Sequence, residues 1–355
     1  MTRNRVTLQT IADRLGVSRT TVSNAYNRPD QLAPELRRRV LDTAAQLGYT
    51  GPDAAARRLR SGGREAIGLL STGSLAYAFT DPAAVLFMQG FARATEEAGL
   101  GILMLPGTEY GITRAPNAVN EAVVEGFCLH SLPLGSADLD AAIARRVPLV
   151  LVDEPRTGAH TFIGIDDEAG ARMAAEHLLE LGHRRVGVVT FRTVDDDYDG
   201  LLDTGREAAA MYPVTSARLR GWREPLEAAG VGPEDHPREE RSWNTPEAGA
   251  DGLRALLARE PRLTAVVFAS DQLALGGLKA ARDASRSDLS IVGYDDIPGA
   301  RLAGLTTVAQ PLVEKGATAG RLLVEGDTEP PRDIILPVEL RVRETTRPPG
   351  SHPPA

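Results

Sequence analysis

The sequence predicts a small all-α head followed by a larger α/β body with two lobes and parallel sheets. Residues 6–48 carry three short helical patterns, whereas from residue 66 onward short apolar runs alternate with amphipathic helical stretches. That alternation is typical of parallel strands covered by helices on both faces. Because about 280 residues of it exceed what one sheet usually needs, we expect two lobes.

Each helix of the head has a start or stop signal. The first is predicted from four apolar residues at helical spacing: Leu8, Ile11, Ala12 and Leu15. Thr7 is placed to cap its first turn, and Gly16 to end it in a left-handed conformation. Ser18 is expected to cap the second helix, and Pro34 suits the first turn of the third.

The body offers eight apolar runs of strand length. These runs are 66–70, 101–105, 127–129, 149–152, 162–165, 186–189, 265–269 and 291–293. Between them, Asp81 is expected to open a helix with Val85, Met88 and Ala92 on its inner face. Further helices are predicted over 168–181, 218–229, 248–260 and 272–283, and residues 201–211 also have helical character.

The net charge changes sign near the same point of the chain at which the hydrophobic pattern changes. Residues 1–60 hold 11 arginines and 5 acidic residues, a net charge of +6, whereas the remainder carries −14. A basic head on an acidic body indicates a polyanionic partner for the head.

Several classes of protein are disfavoured. The sequence has no apolar run long enough to span a membrane and no apolar signal core. Its single cysteine, Cys128, cannot form an internal disulfide. We therefore expect a cytoplasmic protein without a membrane partner. It has no P-loop, nucleophile elbow, metalloprotease motif or dinucleotide fingerprint. We therefore expect no cofactor, no metal and no enzymatic activity.

The first two helices of the head read as a helix-turn-helix that enters the major groove of double-stranded DNA. Arg19, Thr20 and Asn24 are expected on the outer face of the second helix, where arginine can read guanine and asparagine adenine. Four hydroxyl residues at or near the helix starts suit phosphates: Thr7, Ser18, Thr21 and Ser23. A small helical domain with a solvated polar face is the alternative.

The chain resembles the lactose-repressor (LacI) family of bacterial transcription regulators. Residues 7–23 follow the pattern T-L-x-x-I-A-x-x-L-G-V-S-x-x-T-V-S, and L-G-Y follows at residues 47–49. The body carries matching segments in order at 166–171, 177–185, 270–276, 292–296 and 305–311. The resemblance implies a homodimeric repressor of operator DNA with a periplasmic-binding-protein-like sensor. It also suggests a sugar or sugar derivative as the small-molecule effector.

Residues 51–63 are expected to form a hinge. The segment is too poor in apolar residues to fold alone and could become helical against DNA. Arg57 and Arg58 could meet phosphates, and Leu59 matches the leucine that the family wedges into the minor groove. The alternative is a plain flexible linker.

The resemblance also places effector-binding candidates in the body. Arg218 lies in the pattern R-x-x-G-[FW] of the family's ligand-binding arginine, and Asp295 resembles its acceptor of ligand hydroxyl groups. Trp243 stands where the family often has a stacking aromatic residue. Five further candidates are Asp153, Asp271, Gln310, Tyr77 and Phe79. Ordinary packing for Trp243, helix capping for Asp271 and a structural role at a lobe crossing for Gln310 remain alternatives.

We therefore predict a DNA-binding domain at 1–50, the hinge at 51–63, the sensor at 64–346 and a disordered, proline-rich tail at 347–355. The N-terminal lobe is expected to contain about 64–158 and 312–331, and the C-terminal lobe about 159–311 and 332–346. A solute-binding protein of the same lobe fold and an enzyme built on the lobes are the alternative functions.

Overall fold

The computed structural model describes residues 6–27, 32–47, 49, 66–107 and 117–350. The chain forms two compact units, a head up to residue 64 and a body from residue 65. In the described ranges, no helix combines the length and apolar character needed to cross a membrane. The predicted hinge at 51–63 lies outside the described residues.

The head contains three helices around a small aliphatic core. They are α1 (Leu8–Leu15), α2 (Arg19–Asn27) and α3 (Pro34–Gln46). The predicted caps are confirmed: Thr10 N donates to Thr7 Oγ1 over 3.3 Å, and Thr21 N donates to Ser18 Oγ over 3.0 Å. Gly16 ends α1 with φ of 66°, as predicted. The core buries Leu8, Ile11, Ala12, Val22, Ala25, Val40 and Ala44.

The first lobe of the body is built on parallel strands. They are β1 (Ala66–Ser71), β2 (Gly101–Pro106), β3 (Phe127–His130), β4 (Leu149–Val152), β5 (Thr161–Ile165) and β12 (Asp333–Leu336). Their order across the sheet is β12-β5-β4-β3-β1-β2. The helices are α4 (Leu75–Ala78), α5 (Pro82–Glu97), α6 (Asn117–Glu121), α7 (Ala137–Ala144) and α14 (Leu312–Glu325). Alternate strand residues enter two apolar clusters, so both faces of the sheet are buried.

The second lobe carries the other sheet. Its strands are β6 (Val186–Phe191), β7 (Gly200–Leu201), β8 (Arg238–Arg241), β9 (Ala265–Phe268), β10 (Ser290–Asp295), β11 (Thr306–Ala309) and β13 (Glu339–Arg341). Their order is β13-β11-β10-β9-β6-β8-β7, with the two edge strands antiparallel to their neighbours. The helices are α8 (Asp167–Glu180), α9 (Thr204–Ala208), α10 (Pro213–Ala228), α11 (Pro246–Arg259), α12 (Asp271–Asp283) and α13 (Pro298–Leu302). The predicted fold, a helical head with a two-lobed α/β body, is confirmed.

The predicted lobe boundaries need correction at two of the three crossings. Strand β5 was expected in the second lobe, but it pairs with β4 and β12 in the first sheet. The chain therefore leaves the first lobe after Ile165 instead of at 158. It returns there with α14 and leaves again after Leu336, not at 331. Pairing between β5 and β12, which lie far apart in sequence, is invisible to local periodicity.

Other local predictions also need correction. The inner face of α5 consists of Ala84, Phe87 and Phe91, whereas the predicted Val85 is exposed. Residues 201–211 form the short β7 and α9 instead of one helix. The tail was predicted to be disordered from residue 347, yet residues 347–350 are described. Arg347 exchanges two hydrogen bonds of 2.9 and 3.0 Å with Ser290 Oγ.

Helices α5 and α14 cross at a contact that only glycine permits. A Cβ atom on Gly90 would lie 1.8 Å from the main-chain oxygen of Val313. A Cβ atom on Gly316 would lie 2.0 Å from the main-chain oxygen of Phe87. The two backbones therefore touch directly, which fixes α14 against the first lobe.

Candidate functional site

A cavity of about 170 Å³ lies between the two lobes of the body. Residues from the carboxyl ends of strands in both sheets line it, which is where ligands bind in parallel α/β folds. Its polar lining residues are Ser71, Thr72, Tyr77, Asp81, His130, Ser131, Asp153, Glu154, Arg192, Tyr212, Arg218, Ser242, Asn244, Ser270, Asp295 and Gln310. Apolar contacts come from Ala78, Ala83, Ala84, Phe191, Val214 and Leu312.

Five of the predicted effector residues meet at this cavity. They are Tyr77 and Asp153 from the first lobe, Arg218 and Asp295 from the second, and Gln310 at a crossing between them. Asp153 and Asp295 each adopt a positive φ, 64° and 119°, directly after or at the end of their strands. The strand ends thus bring together residues that are far apart in the sequence.

Arg218 is held rigidly in the wall of the cavity. Its Nε donates to Asp167 Oδ1 over 2.8 Å, and its Nη1 donates to the main-chain oxygen of Ala269 over 2.5 Å. The guanidinium carbon lies 3.7 Å from the ring centroid of Tyr294. Arginine is suited to this position because its planar cation can stack on a ring while donating in the plane.

A chain of hydrogen bonds crosses from the first lobe to the second. Lys315 Nζ, fully buried, donates to Asp153 Oδ1 over 2.5 Å and to Gln310 Oε1 over 2.6 Å. Gln310 Nε2 then donates to Asp295 Oδ1 over 2.6 Å. On the other side, His130 Nε2 lies 3.1 Å from Asp153 Oδ2, and His130 Nδ1 lies 3.1 Å from Ser71 Oγ. This lysine-centred chain, Ser71–His130–Asp153–Lys315–Gln310–Asp295, connects the two walls.

The pKa values of the acidic residues in the cavity are shifted in opposite directions. Burial alone would raise the pKa of Asp153, but the Lys315 ammonium and the His130 hydrogen bond lower that pKa below its usual range. Burial instead raises the pKa of Asp81, raises that of Asp295 well above its usual range, and raises that of Glu154 to about 8. Asp153 is therefore a compensated carboxylate, whereas the other three lack a matching cation.

Three predicted effector residues do not line the cavity. Asp271 is fully buried and accepts hydrogen bonds from Thr307 Oγ1 and Ile297 N, at 2.6 and 2.9 Å, so it ties α12 to neighbouring segments. Ser270, one residue earlier, caps that helix. Phe79 is 61% exposed at the end of α4. Trp243 lies at the rim, with its ring 6.1 Å from that of Tyr77.

Sequence reasoning missed several residues that shape the cavity. They include Ser71, Asp81, His130, Glu154, Arg192, Asn244 and the buried Lys315 behind the wall. For Ser71 and His130 a signal was present, because each ends an apolar run of strand length. No local signal marks Lys315, whose carboxylate partner is 162 residues away.

The head presents its predicted DNA-reading residues on α2. Arg19 and Thr20 are exposed, whereas Thr21, Ser23 and Asn24 are half-buried. Thr7 and Ser18 are also exposed, although their hydroxyl oxygens already accept hydrogen bonds as caps. The predicted hinge residues Arg57, Arg58 and Leu59 lie outside the described residues.

Comparison with known proteins decides the family. Residues 7–51 match the description "Bacterial regulatory proteins, lacI family", and residues 175–346 match a periplasmic binding protein-like domain. An HTH-type transcriptional regulator of Mycobacterium tuberculosis is 39% identical over 99% of both chains. The chain belongs to the LacI family. It is a DNA-binding transcription regulator, as its sequence predicts.

Solved structures of LacI-family regulators share the whole fold. A dimer of the lac repressor, bound to operator and an anti-inducer, is 26% identical with a TM-score of 0.74. The match covers 97% of this chain and 100% of the lac repressor chain. A complex of the regulator CelR with cellobiose is 28% identical with a TM-score of 0.68, covering 96% of this chain and 100% of that one.

Proposed function

We propose that this LacI-family protein is a repressor that binds a pseudo-palindromic operator as a homodimer and senses a small polar metabolite of the sugar class. The observation that carries the proposal is the cavity between the lobes, whose polar lining comes from strand ends of both sheets. A ligand that binds both walls would favour one arrangement of the lobes over another. Its binding would thereby couple to operator affinity.

The support for a sugar comes from chemistry and from a relative. A sugar offers hydroxyl groups to carboxyl, amide and hydroxyl partners, and Asp81, Asp295 and Gln310 supply such partners here. The related regulator CelR has been solved with cellobiose. We assign Arg218, Asp153, Asp295, Gln310 and Tyr77 to effector binding.

On the DNA side, we assign base reading to Arg19, Thr20 and Asn24. Thr7, Ser18, Thr21 and Ser23, with Arg57 and Arg58 of the hinge, would contact phosphates, and Leu59 would enter the minor groove. Binding as a homodimer, as seen for the lac repressor on its operator, would double these contacts over two half-sites. The protein would act in the cytoplasm, without a cofactor and without catalysis.

Operator selection from random duplex tests the DNA-binding half. We expect an inverted repeat to be enriched, with affinity that falls steeply as salt rises. Arg19→Ala should weaken binding to that repeat by about 1–3 kcal/mol, roughly a 5- to 160-fold loss, because one base contact is removed.

Arg254→Ala is the matched control, since Arg254 is an exposed arginine of the body paired only with Asp251. Equal losses for both variants, or the absence of any preferred repeat, would refute operator reading by α2. A change in the affinity for the repeat on adding a stabilising sugar would support the sensor half.

A further inference from the structure

The cations that line the cavity are already engaged by the protein. Arg218 uses Nε on Asp167 and Nη1 on Ala269 O. Arg192 donates from Nε and Nη2 to the main-chain oxygen of Ser242, over 3.2 and 2.6 Å, and from Nη1 to Asp195. Arginine binds phosphate or carboxylate most strongly when it offers two adjacent N–H groups. Arg218 thus donates to the protein from two of its three nitrogens, and Arg192 from all three.

The carboxyl groups of the cavity are in excess. Asp81, Asp153, Glu154 and Asp295 line it, against Arg192 and Arg218. Lys315 neutralises Asp153, and each arginine has a further acid as partner, Asp195 for Arg192 and Asp167 for Arg218. Asp81, Glu154 and Asp295 are thus left without a cation within ion-pair distance.

These three carboxyls come from both walls, and Asp81 of the first lobe acts on Asp295 of the second. Asp81 caps α5 of the first lobe by accepting from Ala83 N over 3.1 Å, and Asp295 ends β10 of the second lobe. After burial and the opposing effect of Arg218, repulsion by Asp271 and Asp81 contributes to the raised pKa of Asp295. Glu154 of the first lobe accepts from Val214 N, in the first turn of α10, over 2.9 Å. Carboxyl groups that have no cation of the described ranges at ion-pair distance therefore lie on both walls of the cavity.

The lysine-centred chain fixes which atoms are offered to a ligand. An ammonium group can only donate, so Lys315 makes Gln310 accept through Oε1 and donate through Nε2 to Asp295. Ionised Asp153 accepts from His130 Nε2, so in the neutral ring His130 Nδ1 accepts from the Ser71 hydroxyl. The Ser71 oxygen then keeps its lone pairs for a ligand donor.

We propose that the effector carries several hydroxyl or ammonium donors and no phosphate or carboxylate group, because the carboxyl groups of Asp81, Glu154 and Asp295 line the two walls without a cation at ion-pair distance among the described residues. This assignment rests on the proposed sensor function and narrows its ligand class to uncharged or cationic polyhydroxylated compounds. An anionic sugar would bring a further negative charge to a site whose two arginines already donate to the protein and already have acidic partners.

The first test needs no ligand. Asp81→Asn keeps the helix cap, since asparagine caps as well as aspartate, but it removes a charge from the cavity. In the full-length protein at pH 8 we expect Tm to rise by about 2 °C or more. Asp203→Asn is the matched control, because Asp203 is an exposed cap that accepts from Arg206 N on α9, away from the cavity. A Tm for Asp81→Asn that is unchanged or lowered would overturn the claim of an excess of negative charge.

The second test compares matched compounds by thermal shift in a phosphate-free buffer. Each set contains a sugar or polyol with its amino, uronic acid and phosphorylated derivatives, beginning with glucose, glucosamine, glucuronate and glucose 6-phosphate. We expect every stabilising compound to lack an anionic group and its acidic derivative to bind at least tenfold more weakly. An acidic member that stabilises more than its uncharged parent overturns the ligand class.

The two proposals fail in different ways. If an acidic compound stabilises the protein and also changes operator affinity, the sensor function stands and the ligand class falls. If no duplex is preferred over random DNA, the proposed function falls whatever the charge of the ligand. If no compound in the sets binds, the comparison of Asp81→Asn with Asp203→Asn decides on the ligand class.

Discussion

In the first lobe the buried cation behind the cavity is a lysine held by two side chains, whereas in the second lobe the cations are arginines held in part by main-chain oxygens. Lys315 donates to Asp153 and Gln310. Arg218 and Arg192 each donate to a main-chain carbonyl that the fold itself positions. One wall therefore depends on mutual support among side chains, and the other on the backbone.

This difference indicates which wall depends more strongly on its cation. When a carbonyl is one of the partners, losing an arginine leaves one acid and one main-chain oxygen without their donor. When both partners are side chains that belong to a longer chain of hydrogen bonds, losing the cation weakens the hydrogen bonds of the other side chains in that chain as well. We therefore expect the first wall to respond more strongly to substitution and to pH.

Lys315→Met should give the largest effect. It leaves Asp153 buried without its cation, which should lower the free energy of unfolding by about 3–5 kcal/mol. Urea denaturation at pH 7 measures the loss. Lys279→Met is the control, since Lys279 is exposed and pairs only with Asp283 one helical turn away, and it should cost under about 0.5 kcal/mol. Similar small costs for both lysines would contradict the dependence of the first wall on Lys315.

The pH dependence set by Glu154 should come next. Burial raises its pKa to about 8, so the folded protein keeps a proton that the unfolded chain loses from about pH 4.5 upward. Stability is therefore lost as pH rises from about 5 to 8, by about 2–4 kcal/mol from this residue. Glu154→Gln, whose amide oxygen can still accept from Val214 N, should abolish that loss.

Measurements of Tm at pH 5, 6, 7 and 8 follow this difference between the wild type and Glu154→Gln. Glu97→Gln, an exposed change at the end of α5, serves as the comparison and should track the wild type. Parallel curves for the wild type and Glu154→Gln would show that the carboxyl is not held protonated by its surroundings.

Arg218→Lys should have the smallest effect on stability of the three. Lysine keeps the positive charge beside Asp167, but it lacks the planar guanidinium that lets arginine donate to Ala269 O as well. We therefore expect the free energy of unfolding to fall by about 1–3 kcal/mol. Arg220→Lys is the control on the same helix, where Arg220 is exposed and meets Glu168. If Arg218→Lys destabilises the protein more than Lys315→Met in the same denaturation assay, the contrast between the walls is wrong.

The sequence predicted features that depend on neighbouring residues or on the family resemblance. The Thr7 and Ser18 caps and the turn at Gly16 are local, and the structure confirms them. The alternation of strands and helices was enough to predict a two-lobed α/β body. Arg218 and Asp295 came from the resemblance, and both line the cavity.

Features that depend on distant partners escaped prediction. A buried lysine looks like an exposed one in sequence until the carboxylate facing it is known, as Lys315 and Lys279 show. Asp271 has the sequence position of a cavity residue, at the end of an apolar run, but Thr307 and the main chain at Ile297 enclose it. The pairing of β5 with β12 decided the lobe boundaries for the same reason.

The glycine contact between α5 and α14 has a consequence for mutational scans of regulation. Neither Gly90 nor Gly316 lines the cavity, and neither belongs to the head. Yet even alanine at either position collides with backbone of the opposite helix, so both should tolerate substitution as poorly as residues that touch effector or operator. A map of the positions that do not tolerate substitution will therefore contain both residues that bind effector or operator and residues that only allow the helices to pack. Measuring the abundance of each variant protein, together with expression of the regulated gene, separates the two groups.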